Sequence, residues 1–173
     1  TEPNDGWPYD TILSSLVATP SMSANTLATN IVDYYYSSYG SNNTQSAVNL
    51  GSPYTTLNTA VNNLATALIN NGHNYISEIQ AARNSSQQFA YTYYIDLWDF
   101  ADWISIAGPE PTINAAAVAV KSAVTSAVIR EHHGASWPWA RGISIYLPKT
   151  AGEYDASYDG GTGFLKFTAT TQW

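Results

Sequence analysis

Two short apolar runs, QSAVNL at 45–50 and GISIYLP at 142–148, set the terms for any fold of this chain. Both are rich in residues that suit a pleated, buried strand, and the second is stopped by a proline. Most of the chain before and between them carries helical spacing instead. Ile12, Leu13, Leu16 and Val17 recur over 9–18, and Leu27, Ile31, Tyr34 and Tyr35 recur over 23–39, with Gly40 at the carboxy end. Pro53 opens the clearest helix, in which Leu57, Val61, Leu64 and Leu68 return every three or four residues until Asn71-Gly72. Further helical patterns cover 73–83, 94–104 (Ile95, Leu97, Trp98, Ala101, Ile104) and 113–130 (Ala117, Val120, Val124, Val128). Helices separated by short strands predict an α/β fold with helices covering a sheet. Two or three strands do not complete such a sheet, so the expectation is that other strands lie outside this chain. The 173 residues suffice for one domain over 1–173, with an irregular tail at 149–173 around Gly160-Gly161.

Charge removes several classes of function. The net charge is −7 with only six Lys plus Arg, and no basic stripe exists to neutralise phosphates, so nucleic acid is not expected as a partner. No basic amphipathic helix suits an anionic membrane, and no apolar run is long enough to span one. The opening Thr-Glu-Pro-Asn-Asp-Gly is not a signal peptide. Charged residues are 11% of the chain, so Ser, Thr, Asn, Gln and Tyr must build much of the polar surface, which points to an extracellular or cell-surface protein. Asn42 and Asn84 each begin an Asn-x-Ser/Thr glycosylation sequon.

No cysteine is present, which excludes disulfides, thiolate metal ligands and a cysteine nucleophile within these residues. His132 and His133 follow the last helical pattern beside Glu131. On a helix they would point about 100° apart, which is unsuited to holding one ion, and a polar helix end is the expected role. His73 reads as a turn residue after Asn71-Gly72. Asp96, Asp99 and Asp102 form a stripe at three-residue spacing. Calcium loops gather oxygens around a glycine turn, so a solvated helix face is expected here. Neither a P-loop, a dinucleotide-binding glycine pattern nor a G-x-S-x-G elbow occurs. No catalytic residue, metal or cofactor is therefore expected in the chain itself. The six Trp and 13 Tyr are expected mostly in the core, and sugar binding would require exposed, coplanar rings.

Five stretches, in this order and spacing, resemble the clostripain family of cysteine endopeptidases. They are TEPNDGWPYDTILSSL at 1–16, TQSAVNL at 44–50, LNTAVNNLATALI at 57–69, YIDLWDFA at 94–101 and RGISIYLP at 141–148. The resemblance implies a caspase-like fold and cleavage after Arg or Lys by a His–Cys dyad, the cysteine lying in an Asp-x-Cys motif. In the family pattern these residues precede the Glu-Pro-x-x-Gly-Trp segment, which here is Glu2 to Trp7. His132 and His133 fall too late in the chain for the family's histidine. What carries over is that Thr1, Glu2, Asp5 and Trp7 would form a wall of the substrate cleft, with Asp5 adding charge for a basic side chain. Equally, Asp5-Gly6 can be a turn and Trp7 a core anchor. The implied protein is a non-catalytic chain or fragment of a secreted peptidase, acting on protein substrates beside an upstream chain that carries His and Cys. The alternative is a structural, surface-assembling protein on a pseudopeptidase scaffold, partnered by copies of itself.

Overall fold

The computed structural model describes residues 6–108 and 110–158. Among them the chain is α/β and mostly helical. Its elements are α1 (Tyr9–Ala18), α2 (Ala24–Tyr39), β1 (Thr44–Val48), α3 (Ser52–Asn71), α4 (Ile76–Ser85), β2 (Tyr94–Asp96), α5 (Leu97–Ala107), α6 (Pro111–Ala127), β3 (Val128–His133) and β4 (Ser144–Tyr146). None of these helices is long and apolar enough to cross a membrane.

The helix starts follow local chemistry. Ser23 caps α2, its Oγ accepting the Thr26 N–H at 3.1 Å. Pro53 occupies the first turn of α3, where a missing N–H costs nothing. Glu110 caps α6 by accepting from Thr112 and Ile113, which holds its carboxyl below the usual range, first through the Ile113 N–H. Ser23→Ala is expected to lower stability by about 1 kcal/mol, the usual worth of a cap, measured as a shift of the urea midpoint at unchanged slope.

The core lies where α6 packs against both α3 and α5. Leu64, Phe100, Ile104, Ile113, Val120 and Val124 are almost fully removed from solvent. Ala60, Ala67, Ala117, Ala123 and Ala127 are buried among them, and their short side chains let the helix backbones approach closely. Helix α1 contributes no buried residue. Ile12 and Leu16 are half-buried, whereas Tyr9, Leu13 and Val17 stay exposed.

Strand pairing departs from a single sheet. β1 pairs antiparallel with β3, Gln45 opposite His132 and Ser46 opposite Glu131, while β2 pairs antiparallel with β4. The expected strand at 45–50 is realised as β1, but GISIYLP pairs only over Ser144–Tyr146. Two expected helices are corrected. The 113–130 pattern stops at Ala127 and continues as β3, because β-branched Val128 and Ile129 lead into a ladder with β1. The 94–104 pattern begins as β2, and α5 starts only after Asp96, whose side chain accepts the Asp99 N–H. In the tail, 149–158 holds short turns at Ala151–Glu153 and Ala156–Tyr158, and 159–173 falls outside the described residues.

Candidate functional site

The β1–β3 ribbon gathers much of the described histidine and carboxylate chemistry, and its two faces differ. On the face toward α2, Arg130 and His132 both meet Asp33, at 2.7 and 2.9 Å to the same oxygen. The His132 ring stacks on Tyr36 with centroids 4.4 Å apart. On the other face, Glu131 lies opposite Ser46 and bonds the His133 Nδ1 at 2.9 Å. The two histidines therefore sit on opposite faces of a strand, not at the end of a helix as the sequence pattern predicted. The period of two along a strand turns neighbouring side chains apart still further than a helix does.

An open depression of about 300 Å³ lies over the Glu131 face, lined by Thr44, Ser46, Phe89, Glu131, Gly142 and Ser144, among others. Its near wall is held by Ser46, whose Oγ donates to the Gly142 carbonyl at 2.6 Å. Gly142 has φ +98°, and a Cβ there would lie 3.1 Å from Val128 Cγ1 and 3.2 Å from Ser46 Cβ. Only glycine tolerates both the backbone angle and that approach. Chemically, the Glu131–His133 pair can hold or move a proton. Among the described residues, however, no hydroxyl bonds either imidazole, and the Ser46 proton goes to a carbonyl. A Ser–His nucleophile of the triad kind is thus not assembled here. Among the same residues, no three His, Asp or Glu side chains are grouped to hold a metal ion.

The segment leading into that depression is fastened by acids expected to lie on a solvated helix face. Asp96 and Asp99 are in fact buried. Asp96 Oδ2 accepts the Arg141 N–H at 2.7 Å, and Asp99 Oδ2 accepts the Gln87 N–H at 2.7 Å. Burial pushes the Asp96 carboxyl up to about 6, against the pull of the Arg141 and Asp99 N–H donors, and raises Asp99 as well. Asp102, the third of the stripe, pairs with Lys121. Lys121 and Arg141 both stand over the Trp98 ring, 4.9 and 5.7 Å from its centre.

The remaining expected positions are dispersed. Thr1, Glu2 and Asp5 lie outside the described residues. Trp7 is half-buried and meets Tyr35 of α2 edge-on, ring centres 5.7 Å apart. Asn42 is exposed, its side chain accepting from Ser136 at 3.3 Å. Asn84 is exposed near the end of α4, but Ser86 of its sequon is buried and donates to the Ala82 carbonyl at 2.7 Å. His73 is exposed in the turn Gly72–Asn74, as its sequence position implied. Tyr91 and Tyr93 stack on one another (5.4 Å, 7°) instead of lying side by side as a sugar platform. Ser46 and Gly142 lay within the quoted strand runs and His133 beside Glu131 was noticed, but no local signal showed that they meet; the Val-Ile pair at 128–129 was the one available sign of a strand.

Comparison with curated proteins gives no match, and comparison with solved structures likewise gives none. The family model described as the clostripain family matches residues 1–173, the whole chain. With that match joined to the order of the Trp7, β1, α3, α5 and β4 segments, this chain belongs to the clostripain family.

Proposed function

We propose that this chain is the non-catalytic, carboxy-terminal part of a secreted clostripain-type cysteine endopeptidase that cleaves after Arg or Lys. The single observation behind the reading is a family match across all 173 residues in a sequence with no cysteine. A thiolate nucleophile is the essence of such a reaction, so it must come from residues other than these. In this reading the chain contributes the scaffold. The α3–α5–α6 core supports two ribbons of a caspase-like sheet, and the segment before α1 borders the cleft. Asp5 would then add negative charge for the basic side chain of the substrate.

The test is mass measurement on the particle purified from its source, first native and then denatured, followed by peptide cleavage assays. The expected result is a second, cysteine-containing polypeptide, with cleavage after Arg or Lys that a thiol-alkylating reagent abolishes. A particle built of this chain alone, without cleavage activity, overturns the reading and selects a structural, surface-assembling protein instead.

A further inference from the structure

We infer that Asn42, and not Asn84, is a site of N-linked glycosylation that takes a sugar from a lipid-linked donor in the folded protein. The inference rests on the secreted location in the function just proposed, and not on the peptidase chemistry. The step exchanges two bonds. The Asn42 amide nitrogen bonds to the anomeric carbon of a sugar carried on a lipid phosphate or diphosphate. The carbon–oxygen bond to that phosphate breaks, and its electron pair leaves with the phosphate. One amide proton passes to a base of the membrane-bound glycosyl transferase.

Such a transferase must reach two groups of an Asn-x-Ser/Thr sequon, the asparagine amide and the hydroxyl two residues on. Asn42 is exposed, at the end of the turn Gly40–Asn42 that joins α2 to β1. Its carbonyl accepts the Trp137 indole N–H at 3.2 Å, and its Oδ1 accepts the Ser136 hydroxyl at 3.3 Å. The residue is therefore held by its oxygens. Among the described residues nothing takes the hydrogens of its Nδ2, so the reacting end of the amide is left to solvent. Asn43 is extended (φ −117°, ψ 157°), and the half-buried Thr44 opens β1 and lines the open depression described above. Both groups of this sequon are reachable without unfolding.

The second sequon fails the same requirement. Asn84 is exposed but lies in the last turn of α4, and Ser86 is only 3% exposed. The Ser86 hydroxyl donates to the Ala82 carbonyl at 2.7 Å, and its N–H donates to the same oxygen at 3.1 Å. Presenting that hydroxyl means unwinding the end of α4 and stripping a buried carbonyl of both donors. The surroundings of Asn42 also suit a sugar. The half-buried Trp137 ring, fixed by its bond to the Asn42 carbonyl, stands beside the attachment point as an apolar surface. Charged residues are 11% of the chain, so a bulky, hydrated glycan adds solubility that charge does not supply.

The experiment is glycopeptide mass spectrometry on the chain purified from its source, read at both sequons. Peptides spanning Asn42 are expected to carry a hexose- or hexosamine-containing glycan, and peptides spanning Asn84 to be bare. Asn42→Gln and Thr44→Ala, produced in the same source, are expected to abolish the added mass. Thr44→Ser keeps a hydroxyl and is expected to retain it, with circular dichroism showing that each variant is folded. Three results overturn the site. The first is a bare Asn42. The second is a glycan on Asn84 as well, which means that the choice is made before the chain folds. The third is an added mass that persists in folded Thr44→Ala. The two readings fail separately. A glycosylated Asn42 in a particle with no cysteine-bearing chain overturns the peptidase reading and leaves the site standing. A bare Asn42 beside a cysteine-bearing partner outside the cell overturns the site alone, whereas a bare Asn42 on a chain confined to the cytoplasm overturns the site and the secretion together.

Discussion

Phe100→Ala is expected to remove about 3–5 kcal/mol of unfolding free energy, a large share of what a domain of this size possesses. Phe100 is 1% exposed, in the cluster that joins α3, α5 and α6. Truncation takes the ring's transfer energy and leaves a cavity, since rigid helix backbones on all sides cannot collapse into it. Urea unfolding followed by circular dichroism measures the loss. Val17→Ala serves as the contrast: Val17 is 79% exposed on α1, and its replacement is expected to change stability by no more than about 0.5 kcal/mol. A loss below about 1 kcal/mol for Phe100→Ala would mean that the three helices do not share one core.

The second large effect is at Asp96. Asp96→Ala leaves the Asp99 and Arg141 N–H groups without their acceptor in a site with no solvent access, at an expected cost of about 2–5 kcal/mol. A pH series separates the charge from the hydrogen bonds. Burial raises the Asp96 carboxyl from 3.8 to about 6 in the folded chain, so the folded state binds that proton more tightly than the unfolded state. The resulting stabilisation is fully present below pH 4 and is lost as pH rises through about 6, by roughly 3 kcal/mol at most. Asp96→Asn cannot titrate. Between pH 4 and 7 the wild type is therefore expected to lose more stability than this variant, and parallel curves would show that the carboxyl is ionised throughout. Loss of the Arg141 tie also frees the segment that carries Gly142 over the ribbon, so the Ser46–Gly142 contact is expected to weaken with it.

How much of this was readable beforehand depended on the range of the forces involved. α2 and α3 were legible because their signals are local: the Ser23 cap, the first-turn Pro53, and apolar residues repeating within one turn. β1 was legible for the same reason. β3 was not, since an Ala- and Val-rich run fits helix or strand equally until a partner is known. That partner is β1, far away in sequence, with Ser46 opposite Glu131. The clostripain-family resemblance was carried by ordered short segments and agrees with the family match over the whole chain. The cleft-wall residues named from it rest on that resemblance, and only Trp7 among them lies within the described residues.

The Asp96–Asp99–Asp102 stripe shows the same division most sharply. Spacing correctly placed Asp99 and Asp102 on one helix, because helical geometry is a property of the local chain. It had no means of showing that Asp96 caps that helix, that Asp99 is buried against Gln87, or that Lys121 returns from α6 to pair with Asp102. By itself the sequence determined where most of the helices lie, the family, and the absence of a cysteine nucleophile from these residues. Tertiary structure decided which polar groups are desolvated, which face of β3 each histidine takes, and which strand pairs with which. Those outcomes turn on pairings between segments distant in the chain, where burial and register, and not local propensity, control the energy.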